Sequence, residues 1–220
     1  MTKTITKTSE GLIKNSVLLG AYLLVVWGFY RFLFQLPVEI EELLIKPIIW
    51  LVPVYFLVKK EKVGLASLGF TVKNFFPAIY LSLGLGILFA GGALFVNYLK
   101  YQGFDFNANI GSKFILFSLI ISLVTAITEE ATFRGYMFSR IWSATGNELL
   151  ANLSTSFIWS VVHLPVTIFV WKLSFTATLV YLLLTLLFGI GSAFIYAKTK
   201  NITAAILLHV LWSWPIILFR

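Results

Sequence analysis

Apolar residues run along this chain in stretches of about twenty, broken by short polar segments. The pattern predicts seven helices, over 15–36, 43–58, 75–99, 113–143, 149–171, 174–197 and 202–219. At 1.5 Å per residue such runs cross a hydrocarbon core roughly 30 Å thick. Strands of an outer-membrane barrel would alternate apolar and polar positions, and these runs do not. The predicted fold is all-α, a polytopic transmembrane helical bundle of about seven spans forming one integral membrane domain over 1–220. The second run is short, and the preceding "PVEIEELLIKP" carries glutamates that suit an interfacial helix lying on the surface. The fourth is too long for one crossing, so its last turns should leave the hydrocarbon near Arg140. Gly84, Gly91, Gly92, Gly189 and Gly191 are expected to let helices approach closely. The first run follows a basic tail, but it is too long for a signal sequence and lacks a small-residue cleavage site, so it reads as a retained span.

Composition strengthens this picture and charge orients it. The chain is 59% apolar and only 12% charged, whereas soluble domains are about half apolar and a quarter charged. It has no cysteine, which excludes disulfides, iron–sulfur clusters and thiolate zinc sites. The net charge of +8 reads as Lys and Arg flanking the spans beside anionic lipid, not as a nucleic-acid surface. With the N-terminus in the cytoplasm, the inner segments hold eleven basic residues. The outer ones hold six: Arg31, Lys46, Lys100, Lys113, Lys172 and Arg220. The positive-inside rule then favours N-inside.

Candidate chemistry lies in the few polar residues that interrupt the runs. Of nine acidic residues, only Glu129 and Glu130 fall inside a predicted span, and both histidines, His163 and His209, do too. An ionisable group at membrane depth costs about 2.5–3.5 kcal/mol and normally faces a polar cavity or partner. Measured along straight helices from the inner face, Glu129 lies roughly 16 Å deep, His163 roughly 21 Å and His209 roughly 12 Å. They therefore share one slab of the membrane. Glu130 and Arg134 are four apart on one face, with the acid first, as a helical ion pair prefers. Glu129 is turned about 100° away and has no base three or four positions on. It is expected to project a poorly compensated carboxylate with a raised pKa, suited to general-base work. The competing expectation is that both glutamates share Arg134 in one structural network.

These residues resemble the motifs of the CPBP family of intramembrane proteases, which includes the Rce1-type CAAX prenyl endopeptidases and the Abi-like bacteriocin-immunity proteins. The family's EExxxR appears as Glu129-Glu130-Ala131-Thr132-Phe133-Arg134. Its FxxxH appears as Trp159-Ser160-Val161-Val162-His163, with Trp for the usual aromatic, and its HxxxN as His209-Val210-Leu211-Trp212-Ser213, with Ser for Asn. The resemblance places a catalytic core over about 113–219. It implies hydrolysis of a peptide bond inside the membrane, with Glu129 activating water and His163 and His209 orienting it or stabilising the oxyanion. Ser213, one turn past His209, could supply a hydroxyl in place of the missing amide; Glu130, Arg134 and Trp159 take supporting roles. The expected partners are membrane lipids and a peptide or membrane-protein substrate, without nucleic acid. A bacterial cytoplasmic membrane is the expected location, and self-immunity against peptide bacteriocins or peptide processing the expected task.

Three alternatives stand beside this reading. Two histidines and a glutamate are a legitimate catalytic zinc set, so zinc at Glu129, His163 and His209 is open. Against it, there is no HExxH spacing and no evident carboxylate to orient the imidazoles, and a cofactor-free mechanism is favoured. Ser213 supports a non-catalytic immunity or receptor protein on a decayed protease scaffold. A proton-relay transporter could use the same three residues, but no inverted repeat is visible.

Overall fold

The computed structural model describes residues 2–103 and 115–218. The expected start of the fourth span at 113, the end of the seventh at 219, and the orienting residues Lys113 and Arg220 lie outside the described residues. Among the described residues seven long helices succeed one another, with a short 3-10 turn at Leu65–Leu68: α1 (2–33), α2 (38–60), α3 (Phe75–Tyr101), α4 (115–145), α5 (Glu148–Val170), α6 (Phe175–Thr199) and α7 (Ile202–Leu218). Among the described residues there is no strand. Five stretches are long and apolar enough to cross a membrane: Ser9–Leu33, Phe75–Gly92, Leu116–Thr145, Glu148–Val170 and Phe175–Thr199; Ile202–Ser213 is a shorter apolar one.

The helix boundaries follow from local chemistry. α1 stops at Leu33, and Pro37, extended at ψ 139°, opens α2. Gly146 closes α4 in the left-handed region at φ +67°, where a side chain would be strained. Asn147 then caps α5 by accepting from Leu150 N at 2.9 Å, and Ser174 caps α6 by accepting from Ala177 N at 3.2 Å.

Four helices widen into π turns, over Leu23–Trp27, Glu41–Ile45, Ala131–Phe138 and Val166–Val170. One of them follows Glu130 directly, and another precedes Pro47, which has no N–H to give the helix ladder. Such turns occur frequently at functional sites.

α7 packs against α3, α4 and α6, and α5 packs on α6. A buried aromatic row runs through the middle of the molecule. Trp27 meets Trp50 at 5.7 Å between ring centroids, Trp50 meets Phe133 at 5.6 Å, and Trp159 meets Phe188 at 5.4 Å. Large apolar side chains such as Ile87, Leu88 and Phe157 point outward, the lipid-facing counterpart of this core. At one end of the bundle the loops are knitted together. Arg140 reaches Glu61 at 2.7 Å and both Ser67 oxygens, and Asn201 Nδ2 donates to the carbonyls of Thr71 and Lys73.

Two expectations are corrected. The opening turns of α2, expected to face the surface, turn one side into the bundle: Glu41 is buried, and Lys46, Trp50, Val54 and Val58 form a buried stripe at four-residue spacing. Its glutamates turn inward because cations await them there. Of the five glycines assigned to close packing, Gly84, Gly91 and Gly92 face no described atom within 4 Å of a built Cβ. Gly189 and Gly191 do serve packing. A Cβ on Gly189 would sit 3.0 Å from Ser156 Cβ and 3.2 Å from Arg134 Nη2.

Candidate active site

Glu129 and Glu130 stand at the end of the α-helical part of α4, just before its long π turn. Both are buried, together with Arg134. Glu130 is saturated. Its Oε1 accepts from Arg134 Nη1 at 3.2 Å and His209 Nδ1 at 2.8 Å, and its Oε2 accepts from Ser192 Oγ at 2.8 Å. Arg134 in turn donates to the Gly189 carbonyl at 2.9 Å and lays its guanidinium 4.8 Å from the Trp159 ring centroid. This cluster fixes α4 against α5, α6 and α7.

Glu129 has a different set of partners. Trp159 Nε1 donates to its Oε2 at 2.7 Å, and the Lys46 ammonium stands 2.5 Å from its Oε1. His163 Nε2 faces Oε2 at 3.8 Å, too far for a direct hydrogen bond. The ring is held from its other side, where His163 Nδ1 lies 2.8 Å from the Trp159 carbonyl. Trp159 touches every member of the group, with its ring centroid 4.8 Å from that of His163 and 5.8 Å from that of His209. Glu129, His163 and His209 are thus brought around one tryptophan, with Glu130 and Arg134 directly behind.

Three details depart from the sequence reading. Glu129 is not poorly compensated, because Lys46 supplies a cation from a helix 83 positions earlier in the chain. His209 does have an orienting carboxylate, Glu130. Ser213 is turned to Ser122, with 2.5 Å between the two hydroxyl oxygens.

The residues missed on sequence are Lys46, Glu42, Arg31 and Ser192. Lys46 lies 2.8 Å from Glu42 Oε2, Thr125 Oγ1 donates to the same oxygen at 2.7 Å, and Arg31 pairs with Glu41 and reaches Glu42 at 3.5 Å. A signal for Lys46 was present: it heads the inward stripe that continues through Trp50 and Val54. Ser192 has no comparable mark.

Among the described residues, no three His, Cys, Asp or Glu side chains are grouped to hold a metal ion. The donor set of the zinc alternative also fits a cation poorly, since an ammonium already abuts Glu129 Oε1. A cavity of about 350 Å³ opens at the loop end beside Ser67, Trp142, Tyr196 and Lys200, and none of the site residues lines it. The chemistry of Glu129 therefore rests on its side-chain contacts.

Residues 111–215 match the family described as Type II CAAX prenyl endopeptidase Rce1-like. Over that stretch, just under half of its length, the chain is similar to the Rce1-like family. All seven residues singled out on sequence lie within it. A stretch of 105 residues is also 30% identical to the proposed membrane peptidase YdiL of Bacillus subtilis (strain 168), covering 48% of this chain and 37% of that protein. The match thus spans little more than a third of the relative's length. No solved structure matches the chain. The apolar helices and these matches together make it an integral membrane protein. Lys46 and its neighbours on α1 and α2 fall outside the Rce1-like stretch.

Proposed function

We propose that this chain is a membrane endopeptidase in which Glu129 activates a water molecule to hydrolyse a peptide bond at membrane depth, without a metal. The observation that carries this reading is the pairing of Glu129 Oε2 with His163 Nε2 at 3.8 Å. A carbonyl only accepts hydrogen bonds, so the His163 Nδ1 beside the Trp159 carbonyl carries the hydrogen. The neutral ring then presents a lone pair at Nε2, and two acceptors face one another. A water molecule donating to both satisfies them and is thereby aligned for attack. Its oxygen bonds to the substrate carbonyl carbon as Glu129 takes one proton, and the C–N bond breaks when that proton reaches the leaving amine. His209, held by Glu130 and packed on Trp159, is the group placed to meet the developing oxyanion.

The Lys46 ammonium on Glu129 supports a metal-independent mechanism, because a second cation there would meet like charge. Extending this to substrate, the class of bond is peptide and the setting is the membrane, with the N-terminus inside by charge. Self-protection against peptide bacteriocins and peptide processing are both tasks of that class.

A second reading has one specific observation behind it. Ser213, standing where the family has Asn, is bonded to Ser122, as a decayed, non-catalytic scaffold would allow.

Comparison of membrane peptides from cells carrying the unsubstituted chain and Glu129→Ala tests both. Hydrolysis predicts peptides that accumulate in the variant at unchanged protein abundance, and a chelator that leaves the unsubstituted activity intact. An unchanged peptide pattern with a stably expressed variant removes the protease and leaves the scaffold.

A further inference from the structure

The Lys46–Glu129 contact joins two parts of the chain with different standing. Glu129 belongs to the Rce1-like stretch, whereas Lys46 comes from the α1–α2 hairpin outside it. The ammonium is shared: it lies 2.5 Å from Glu129 Oε1 and 2.8 Å from Glu42 Oε2. Glu42 is four residues before Lys46 on the same helix, so the pair is already a good helical ion pair without Glu129. Glu42 is itself fixed by Thr125 Oγ1 and Arg31.

Four ions of the hairpin that meet around Lys46 also balance one another. Arg31 and Lys46 are cationic and Glu41 and Glu42 anionic, and all four are buried or nearly so. Lys46 therefore does not need Glu129 for neutrality. Glu129, by contrast, has Lys46 as the cation on its Oε1, since Arg134 is engaged by Glu130 and Gly189.

We propose that Lys46 is a positioning residue that caps the Glu129 carboxylate at rest and withdraws onto Glu42 when water and peptide enter, so that the α1–α2 hairpin governs access to the base. This rests on the hydrolytic reading for its consequence but not for its contact. As the ammonium stands, it occupies Glu129 Oε1, while Trp159 occupies Oε2. Both oxygens thus carry a donor before any water arrives. Moving the ammonium wholly to Glu42 keeps it paired with a carboxylate on its own helix. It leaves Glu129 with Trp159 as orienting donor and removes the cation that opposes transfer of a proton from the water held between Oε2 and His163. Because Glu42 lies within contact distance already, the required movement is a rotation of the lysine side chain and no rearrangement of helices.

The cap has a readout that does not depend on proteolysis. Dicyclohexylcarbodiimide, which partitions into membranes, reacts with protonated carboxyl groups in apolar surroundings and spares carboxylates held by a cation. Labelling of the full-length chain in membranes, mapped to Glu129 by mass spectrometry, should be absent in the unsubstituted protein. It should appear in Lys46→Met and in the double variant Lys46→Met/Glu42→Gln. The double variant removes one cation and one anion together, so it leaves the net charge unchanged and guards against a simple folding failure. Glu42→Gln alone should leave Glu129 unlabelled, yet hold membrane peptides at the level seen in Glu129→Ala, because the ammonium has lost its second seat.

Equal labelling of Glu129 in the unsubstituted protein and the double variant overturns the cap. Unimpaired peptide turnover in Glu42→Gln overturns withdrawal onto Glu42. Labelling as expected, with peptides that do not respond to Glu129→Ala, overturns the hydrolytic reading and with it the governing role of the hairpin, while the capped carboxylate stands.

Discussion

Glu129 and Glu130 are neighbours on one helix, buried to the same degree, and held in opposite ways. Every partner of Glu130 comes from the Rce1-like stretch: Arg134, Ser192 and His209 fill both its oxygens. Glu129 takes one donor from that stretch, Trp159, and one from the hairpin, Lys46. One carboxylate is locked by its own half of the chain; the other depends on a group delivered from elsewhere. A buried charge that must never move is best held by several short bonds from packed helices. One that must change partners during a reaction needs at least one contact able to leave, and a lysine with a second carboxylate in reach provides it.

The locked side should show the largest effect when broken. Glu130→Ala or Arg134→Ala each strands a buried charge, which costs about 3–5 kcal/mol. Both variants should unfold at markedly lower temperature in detergent and accumulate poorly, whereas Glu129→Ala, losing a carboxylate whose cation has Glu42 to retreat to, should do so far less. Equal losses for all three would erase the distinction between the two glutamates.

Gly189→Ala sharpens the same point from the opposite wall. The added methyl meets Ser156 Cβ at 3.0 Å and Arg134 Nη2 at 3.2 Å, and overpacking of this kind costs about 1–3 kcal/mol. Thermal unfolding should register that loss, and Ser156→Ala, which removes only the Oγ built 3.2 Å away, should not restore it.

The smallest effect belongs to Ser213→Ala. Its hydroxyl bonds that of Ser122, a contact worth about 0.5–1.5 kcal/mol. Peptide turnover should then stay close to that of the unsubstituted chain. A collapse of turnover at unchanged stability would instead give Ser213 the oxyanion role expected from its place in the motif.

The fold class was legible because the run lengths and the absence of alternation leave few other options for a chain this apolar. The grouping of Glu129, Glu130, Arg134, Trp159, His163 and His209 was legible too, since rare polar residues inside apolar runs must find one another. Phase arithmetic along a single helix worked for the Glu130–Arg134 pair, at 3.2 Å, even though a π turn begins between them. It failed where partners come from different helices. Nothing in the spacing of 129 and 46 relates them, and nothing in the HxxxS motif says that its serine turns to Ser122 instead of the glutamates.

By itself, then, the sequence determined that this is a helical membrane protein with its ionisable residues concentrated in a few spans, because burying such groups in hydrocarbon is too costly to be accidental. Only the tertiary structure decided which cation neutralises which carboxylate. That choice depends on the rotation and depth of helices set by packing, and a charge finds its counter-ion through space, not along the chain.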